Sequence, residues 1–97
     1  MPNNHHFLIN KVRWLWRYAR LRGGADGWTY VRTPRTPHVK QKIIIDERAR
    51  GRRRLELEIH EFLHAANPTI DEEHVDQQGK DLSKILWSLG YRIKEQP

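Results

Sequence analysis

The sequence predicts an α+β fold in one domain over residues 1–97: a small N-terminal antiparallel or mixed β-sheet packed by two C-terminal helices. Three observations lead there. Apolar residues alternate through the first half, as strands with one buried face require. From residue 52 they recur at helical spacing instead. Gly-rich, Pro-containing and Asn-Pro breaks separate the segments, with no repeat and no low-complexity tract.

Residues 1–6 read as a frayed end. Phe7 to Ile9 forms a short strand, Asn10-Lys11 a turn, and the next strand comes directly after, with Val12, Trp14, Trp16 and Tyr18 alternating against Arg13 and Arg17. A helix competes over residues 7–22, since neither Gly nor Pro interrupts them. The four tryptophans of so short a chain read as core rather than as a platform for stacking bases. Gly23 to Gly27 is a loop, and Trp28 to Val31 a brief strand. Pro34 and Pro37 interrupt the next segment. Val39, Ile43 and Ile45 alternate with Lys40 and Lys42, a further strand that ends near Asp46.

Residues 52–66 change period. Leu55, Ile59, Phe62, Leu63 and Ala66 share one helical stripe, and Asn67-Pro68 ends it, because the residue before proline disfavours helix. The second helix starts at Thr69 or Asp71, either a suitable cap. Val75, Gly79, Leu82, Leu86 and Leu89 form its buried face, and Gly90 stops it. Residues 91–97 are a short tail.

Composition narrows the function classes. A chain of 97 residues hides only about 60–65% of its unfolded surface, and 37% hydrophobic content makes its core thin. Such domains often need a staple. With no cysteine, a disulfide scaffold and cysteine-based zinc sites are excluded. No stretch approaches the roughly 20 apolar residues of a membrane span, so no membrane role is expected. The N-terminus lacks a basic start followed by an apolar run, which makes the cytoplasm the default compartment. The net charge is +6, spread along the chain. A solvated surface is the plain reading, and an anionic partner such as nucleic acid or an acidic protein the other.

The informative run is His60-Glu61-Phe62-Leu63-His64, H-E-x-x-H on the first predicted helix. Residues four apart lie about 40° apart around a helix and one turn along, so both imidazoles project the same way and can hold one ion. Each offers a neutral nitrogen suited to Zn2+. Glu61, on the same rim, reaches water beside the ion without being a ligand, and is the candidate catalytic base. Relative to Ile59, His60 and His64 fall at about 100° and 140°, bordering the apolar stripe, where side chains look into a cleft.

Catalytic zinc takes a third protein ligand and keeps one position open. Glu72, Glu73, His74 and Asp76 are the candidates. On the second helix Glu72 falls about 60° from the centre of the apolar stripe, Asp76 about 100°, Glu73 about 160° and His74 about 100° the other way. Glu72 is therefore best placed to face the first helix, and Asp76, one turn on, to orient a ligating histidine. The same acidic cluster also suits the positive end of the helix dipole.

H-E-x-x-H followed on the next helix by E-x-x-x-D, Glu72 to Asp76, resembles the gluzincin metallopeptidases. The short length is similar to their minimal single-domain members, the minigluzincins. The order His64-Ala65, Asp71-Glu72-Glu73 and Leu89-Gly90-Tyr91-Arg92 also resembles short zincin-like proteins of phage type. The motifs cover residues 55–92; the first fifty residues match only in order of elements. The resemblance implies peptide-bond hydrolysis, with zinc on His60, His64 and Glu72 and Glu61 as base. The second motif begins eight residues after His64, far closer than in large gluzincins, which keeps Glu73 open as the ligand. It further implies a donor for the oxyanion, with Tyr91 and His74 as candidates, and an extended substrate along an edge strand, expected at Val39 to Ile45. A monomer acting on a peptide or protein substrate is the expectation. Two rivals stand beside it: a zinc-stabilised binding module with a basic surface, and a latent enzyme covered by residues 91–97 or a partner.

Overall fold

A computed structural model describes residues 4–93 of the protein. The fold is α+β, a four-stranded mixed sheet followed by two helices. The strands are β1 (Asn4–Ile9), β2 (Val12–Ala19), β3 (Gly27–Tyr30) and β4 (Lys42–Asp46), and the helices α1 (Gly51–Ala66) and α2 (Glu72–Ser88).

β1 and β2 form a hairpin in which Ile9 pairs with Val12. Asn10 and Lys11 both take positive φ, 51° and 67°, the two-residue turn whose twist matches that of the strands. The strand begins earlier than the sequence indicates: Asn4 to His6 are paired with Arg17 to Leu15 rather than frayed. β2 then pairs in parallel with β4, and β4 antiparallel with β3, giving the order β1-β2-β4-β3. β4 is therefore interior, although it comes after β3 in the chain.

The expected strand from Val39 is shorter than its alternation implies. Residues 31–41 are a loop, in which the Val39 amide donates to the Thr36 carbonyl oxygen at 3.1 Å. Pairing starts only at Lys42, opposite Leu15 and Tyr30. With partners on both sides, β4 offers no free edge. β3 ends the sheet.

Alternation sorts the sheet into two faces. Ile9, Trp14, Ile43 and Ile45 are buried and pack against Leu57 and Ala65 of α1, with Trp16 and Tyr18 beside them. Tyr18 Oη donates to the Glu58 carboxylate, and the Arg54 guanidinium lies 4.3 Å from the Tyr18 ring centre, fastening α1 to β2. Asn10 Nδ2 in the hairpin turn donates to the Ala66 carbonyl at 2.9 Å, satisfying a group at the open end of α1.

The buried line of α1 is Leu57, Glu61 and Ala65, not the stripe centred on Ile59. Leu55, Ile59 and Leu63 are half-buried and Phe62 is 41% exposed. The reason is that α1 meets two neighbours, the sheet on one flank and α2 on another, and the predicted stripe points fully at neither. On α2 the buried line is Val75, Gly79 and Ser83, while Leu82 and Leu89 are exposed. Small residues face α1: a Cβ on Gly79 would sit 3.7 Å from the His60 Cβ, ordinary contact for helices packed this closely.

Asp71, not Thr69, caps α2, accepting from the His74 amide at 2.9 Å. Gly90, φ 95°, closes it as the sequence predicts: Gly90 N donates to Trp87 O and Tyr91 N to Leu86 O, the paired bonds of a Schellman stop.

Candidate metal centre

α1 and α2 bring three of the expected side chains together. His60 Nε2 lies 2.9 Å from Glu72 Oε1, and His64 Nε2 lies 2.9 Å from Glu72 Oε2. The two imidazole rings are 4.9 Å apart, the distance their four-residue spacing dictates. One donor atom from each of the three residues lies within 4.8 Å of the others. Ligands about 2.0–2.2 Å from a tetrahedral ion stand roughly 3.3–3.5 Å apart, so small side-chain rotations bring the set onto one ion. Two imidazole nitrogens and one carboxylate are a donor set that fits zinc, and the residues open onto a cleft of about 330 Å³.

The geometry separates the acidic candidates. Both glutamates are exposed, but Glu72 reaches the two histidines and Glu73, one residue on, stays outside the cluster. Asp76 Oδ1 stands 3.9 Å from His60 Nδ1, beyond hydrogen-bond reach, and its carboxylate accepts instead from Lys80 Nζ at 3.0 Å. Lys80 holds the Asp76 carboxyl below the usual carboxylate range, and His60 lowers it further. Asp76 is thus next to the ring it was expected to orient, without bonding it.

His74 and Tyr91 are corrections. His74 Nδ1 lies 2.8 Å from Asp71 Oδ1, the ring is exposed, and it does not line the cleft. Tyr91 lies beyond the far end of α2, about 25 Å from Glu72 by the rise of a helix of that length. Neither is placed to meet an oxyanion beside His60 and His64.

Glu61 lines the same cleft and is 7% exposed. A buried carboxylate needs partners. Thr29 Oγ1 donates to Glu61 Oε1 at 2.7 Å and lies 3.1 Å from the Glu61 carbonyl oxygen. Two residues back on β3, a Cβ on Gly27 would fall 3.0 Å from both Cγ and Oε2 of Glu61. A side chain at Gly27 would therefore press directly on the Glu61 carboxylate. Gly27 and Thr29 share the inward side of β3, so a Gly-x-Thr strip holds the carboxylate from one flank.

Sequence reasoning placed Gly27 in a loop and gave Thr29 no role. A glycine within a strand marks a close backbone approach, and extending the Trp28 to Val31 strand back by one residue, as the structure has it, would have given Gly27 that signal. The group that approaches it is decided only by packing.

No protein-family model, curated protein or solved structure matches the chain. The case for function therefore stands on the site.

Proposed function

We propose that the chain is a zinc metallohydrolase of peptidase type, related in mechanism to the gluzincins it resembles. His60, His64 and Glu72 would hold the ion and Glu61 would serve as general base. The observation that carries this reading is the convergence of the three donors on a cleft also walled by a pinned, nearly buried glutamate. A structural zinc site has no use for that glutamate.

Zinc in such a site supplies Lewis acidity and makes water a stronger acid. The protein's own residues do the rest. Glu61 takes a proton from the attacking water and returns it to the leaving amine. Thr29 fixes the carboxylate that does this, so little orientation is lost on reaching the transition state. The substrate strand moves from the expected Val39 to Ile45, which is interior, to β3, which ends the sheet and lines the cleft. An extended peptide adding to that edge by main-chain hydrogen bonds would lie beside the histidines. The cytoplasm and a monomeric state belong to this reading.

A zinc-stapled binding module is the second reading. It is favoured by the attachment of α2, which packs on α1 rather than on the sheet and buries only Val75, Gly79 and Ser83. An ion shared by both helices would tie it down.

Hydrolysis of an unfolded protein by the zinc-loaded chain, beside Glu61→Gln, separates the two. Cleavage by the parent, with none by a variant that still binds one zinc, supports the peptidase. One zinc in each protein and cleavage by neither supports the module.

A further inference from the structure

The excess positive charge of the chain falls in the sheet layer and its loops. Residues 1–45 hold nine Lys and Arg and a single acidic residue, Asp26, which is already paired with Arg53 at 2.8 Å. Residues 46–97 hold nine Lys and Arg against eleven Asp and Glu. The charge that looks evenly spread along the chain is therefore concentrated in the sheet layer and its loops. The 31–41 loop adds Arg32, Arg35 and Lys40 and no acid.

The outward face of the sheet carries this charge in an ordered way. The helices cover only the other face, the one bearing Trp14, Ile43 and Ile45. The strand registers align two outward rungs across three strands: Arg17, Ile44 and Trp28 in one, Leu15, Lys42 and Tyr30 in the next. Trp28, expected in the core with the other tryptophans, is instead 49% exposed because its strand turns it to the uncovered face, and Tyr30 is 38% exposed, with ring centres 6.4 Å apart. Lys42 Nζ sits 4.8 Å from the Tyr30 ring centre. Arg13, outward and exposed, extends the cationic row along β2. Asp46 ends β4, but it is buried and its carboxylate is bound by Arg48. Two exposed rings beside a row of cations, with no free carboxylate among them, make a surface with two demands: phosphate charge and flat apolar faces.

We propose that this outer sheet face binds single-stranded nucleic acid, its phosphates on Arg13, Arg17 and Lys42 and its unpaired bases against Trp28 and Tyr30. An acidic protein would answer the charge and leave the rings unused. A duplex hides its bases inside the stack. A single strand satisfies both. Trp28 also borders the cleft, but Arg13, Arg17, Lys42 and Tyr30 do not, so the inference does not depend on the metal reading.

The test is fluorescence anisotropy of a labelled 20-residue oligothymidylate with the full chain, beside the same length of duplex and vesicles of equal phosphatidylglycerol and phosphatidylcholine. Binding to the single strand is expected to be tightest. Its log affinity should fall against log salt with a slope of about −2, as three phosphate contacts on a single strand imply. Tyr30→Ala is expected to weaken binding about tenfold, the scale of one lost base stack. Arg13→Glu with Arg17→Glu should weaken it by more. Both variants change exposed side chains; circular dichroism checks their fold, and the comparison of the three ligands on the parent needs no variant. No binding in 50 mM salt overturns the proposal. So does duplex binding as tight as single-strand binding, a preference for the vesicles, or indifference to Tyr30→Ala in a folded protein, since each leaves the rings without a role.

Discussion

Glu61 shows how much one side chain depends on its neighbours. Its carboxylate is held by the Thr29 hydroxyl and admitted by the missing Cβ of Gly27. Thr29→Val keeps the shape and removes the donor. A hydrogen bond to a charged group is worth about 1.5–3 kcal/mol, so kcat/KM should drop by roughly ten- to a hundredfold. Zinc stoichiometry should stay at that of the parent, which a general loss of structure would not allow. The ligand assignment is tested by the adjacent pair of glutamates. Glu72→Ala should weaken zinc binding by more than about the 10–100-fold that outer partners of a ligand carry, whereas Glu73→Ala should leave the isotherm in place. Equal effects from the two would remove Glu72 from the centre. On β4, one residue past Ile45, the partner of Gly27, hydrogen bonds from the Arg48 guanidinium and then its backbone amide hold Asp46 well below the usual carboxylate range, with the Leu21 amide adding to them. A depressed pKa means that the contribution is complete above the unfolded value near pH 4 and is lost as pH falls through the folded one. Acid titration of the thermal midpoint should show that loss below about pH 4 in the parent, and less of it in Asp46→Asn.

The elements are each built with one departure from the simplest rules. The β1-β2 turn needs positive φ at both central positions, which Asn10 tolerates and Lys11 resists. Lys11→Gly should therefore raise stability by about 0.5–1 kcal/mol, seen as a higher denaturant midpoint with unchanged slope. A lower midpoint would mean that the Lys11 side chain contributes more than its backbone costs. α1 begins with Gly51, has no side-chain cap and carries Arg52, Arg53 and Arg54 at its positive end. Ion pairs answer part of this: Arg53 with Asp26 and Glu56, and Arg54 with Glu58. α2 is the better-formed helix, with Asp71 as cap, Glu72 and Glu73 in its first turn, and a complete glycine stop. The glutamate expected to ligate thus sits where the helix dipole already favours a negative charge, so one cluster serves both the helix and the site.

The whole molecule is a sheet with α1 laid on one face and α2 laid on α1. Among the described residues no helix is long and apolar enough to cross a membrane. Only seven hydrophobic residues among them are buried, and of these Val75 alone belongs to α2. A metal shared by His60, His64 and Glu72 would join the two helices at one end. Removing zinc with a chelator should lower the thermal midpoint, and hydrogen exchange should quicken first in α2 while β2 and β4 stay protected. Uniform loss across sheet and helices would instead place the metal's effect on the fold as a whole.

Much of this was legible in the residues themselves. Period-two alternation at Val12 to Tyr18 marked a strand, because a half-buried strand has no other way to place its side chains. The H-E-x-x-H run fixed His60 and His64 on one side of a helix, since four residues make just over one turn. The wheel favoured Glu72 over Glu73 by 100° of rotation, while the short spacing from His64 kept Glu73 open. These are local facts, and local geometry decides them. The order of the strands is not local. That β4 lies between β2 and β3, that α1 buries Leu57, Glu61 and Ala65 instead of the Ile59 stripe, and that Thr29 meets Glu61 across thirty-two residues all depend on which surfaces exclude water together. The charge divides in the same way. Its sign and amount are fixed by composition alone. The alignment of Arg13, Arg17 and Lys42 on one face comes from the pairing of the strands, because folding turns distance along the chain into distance through space.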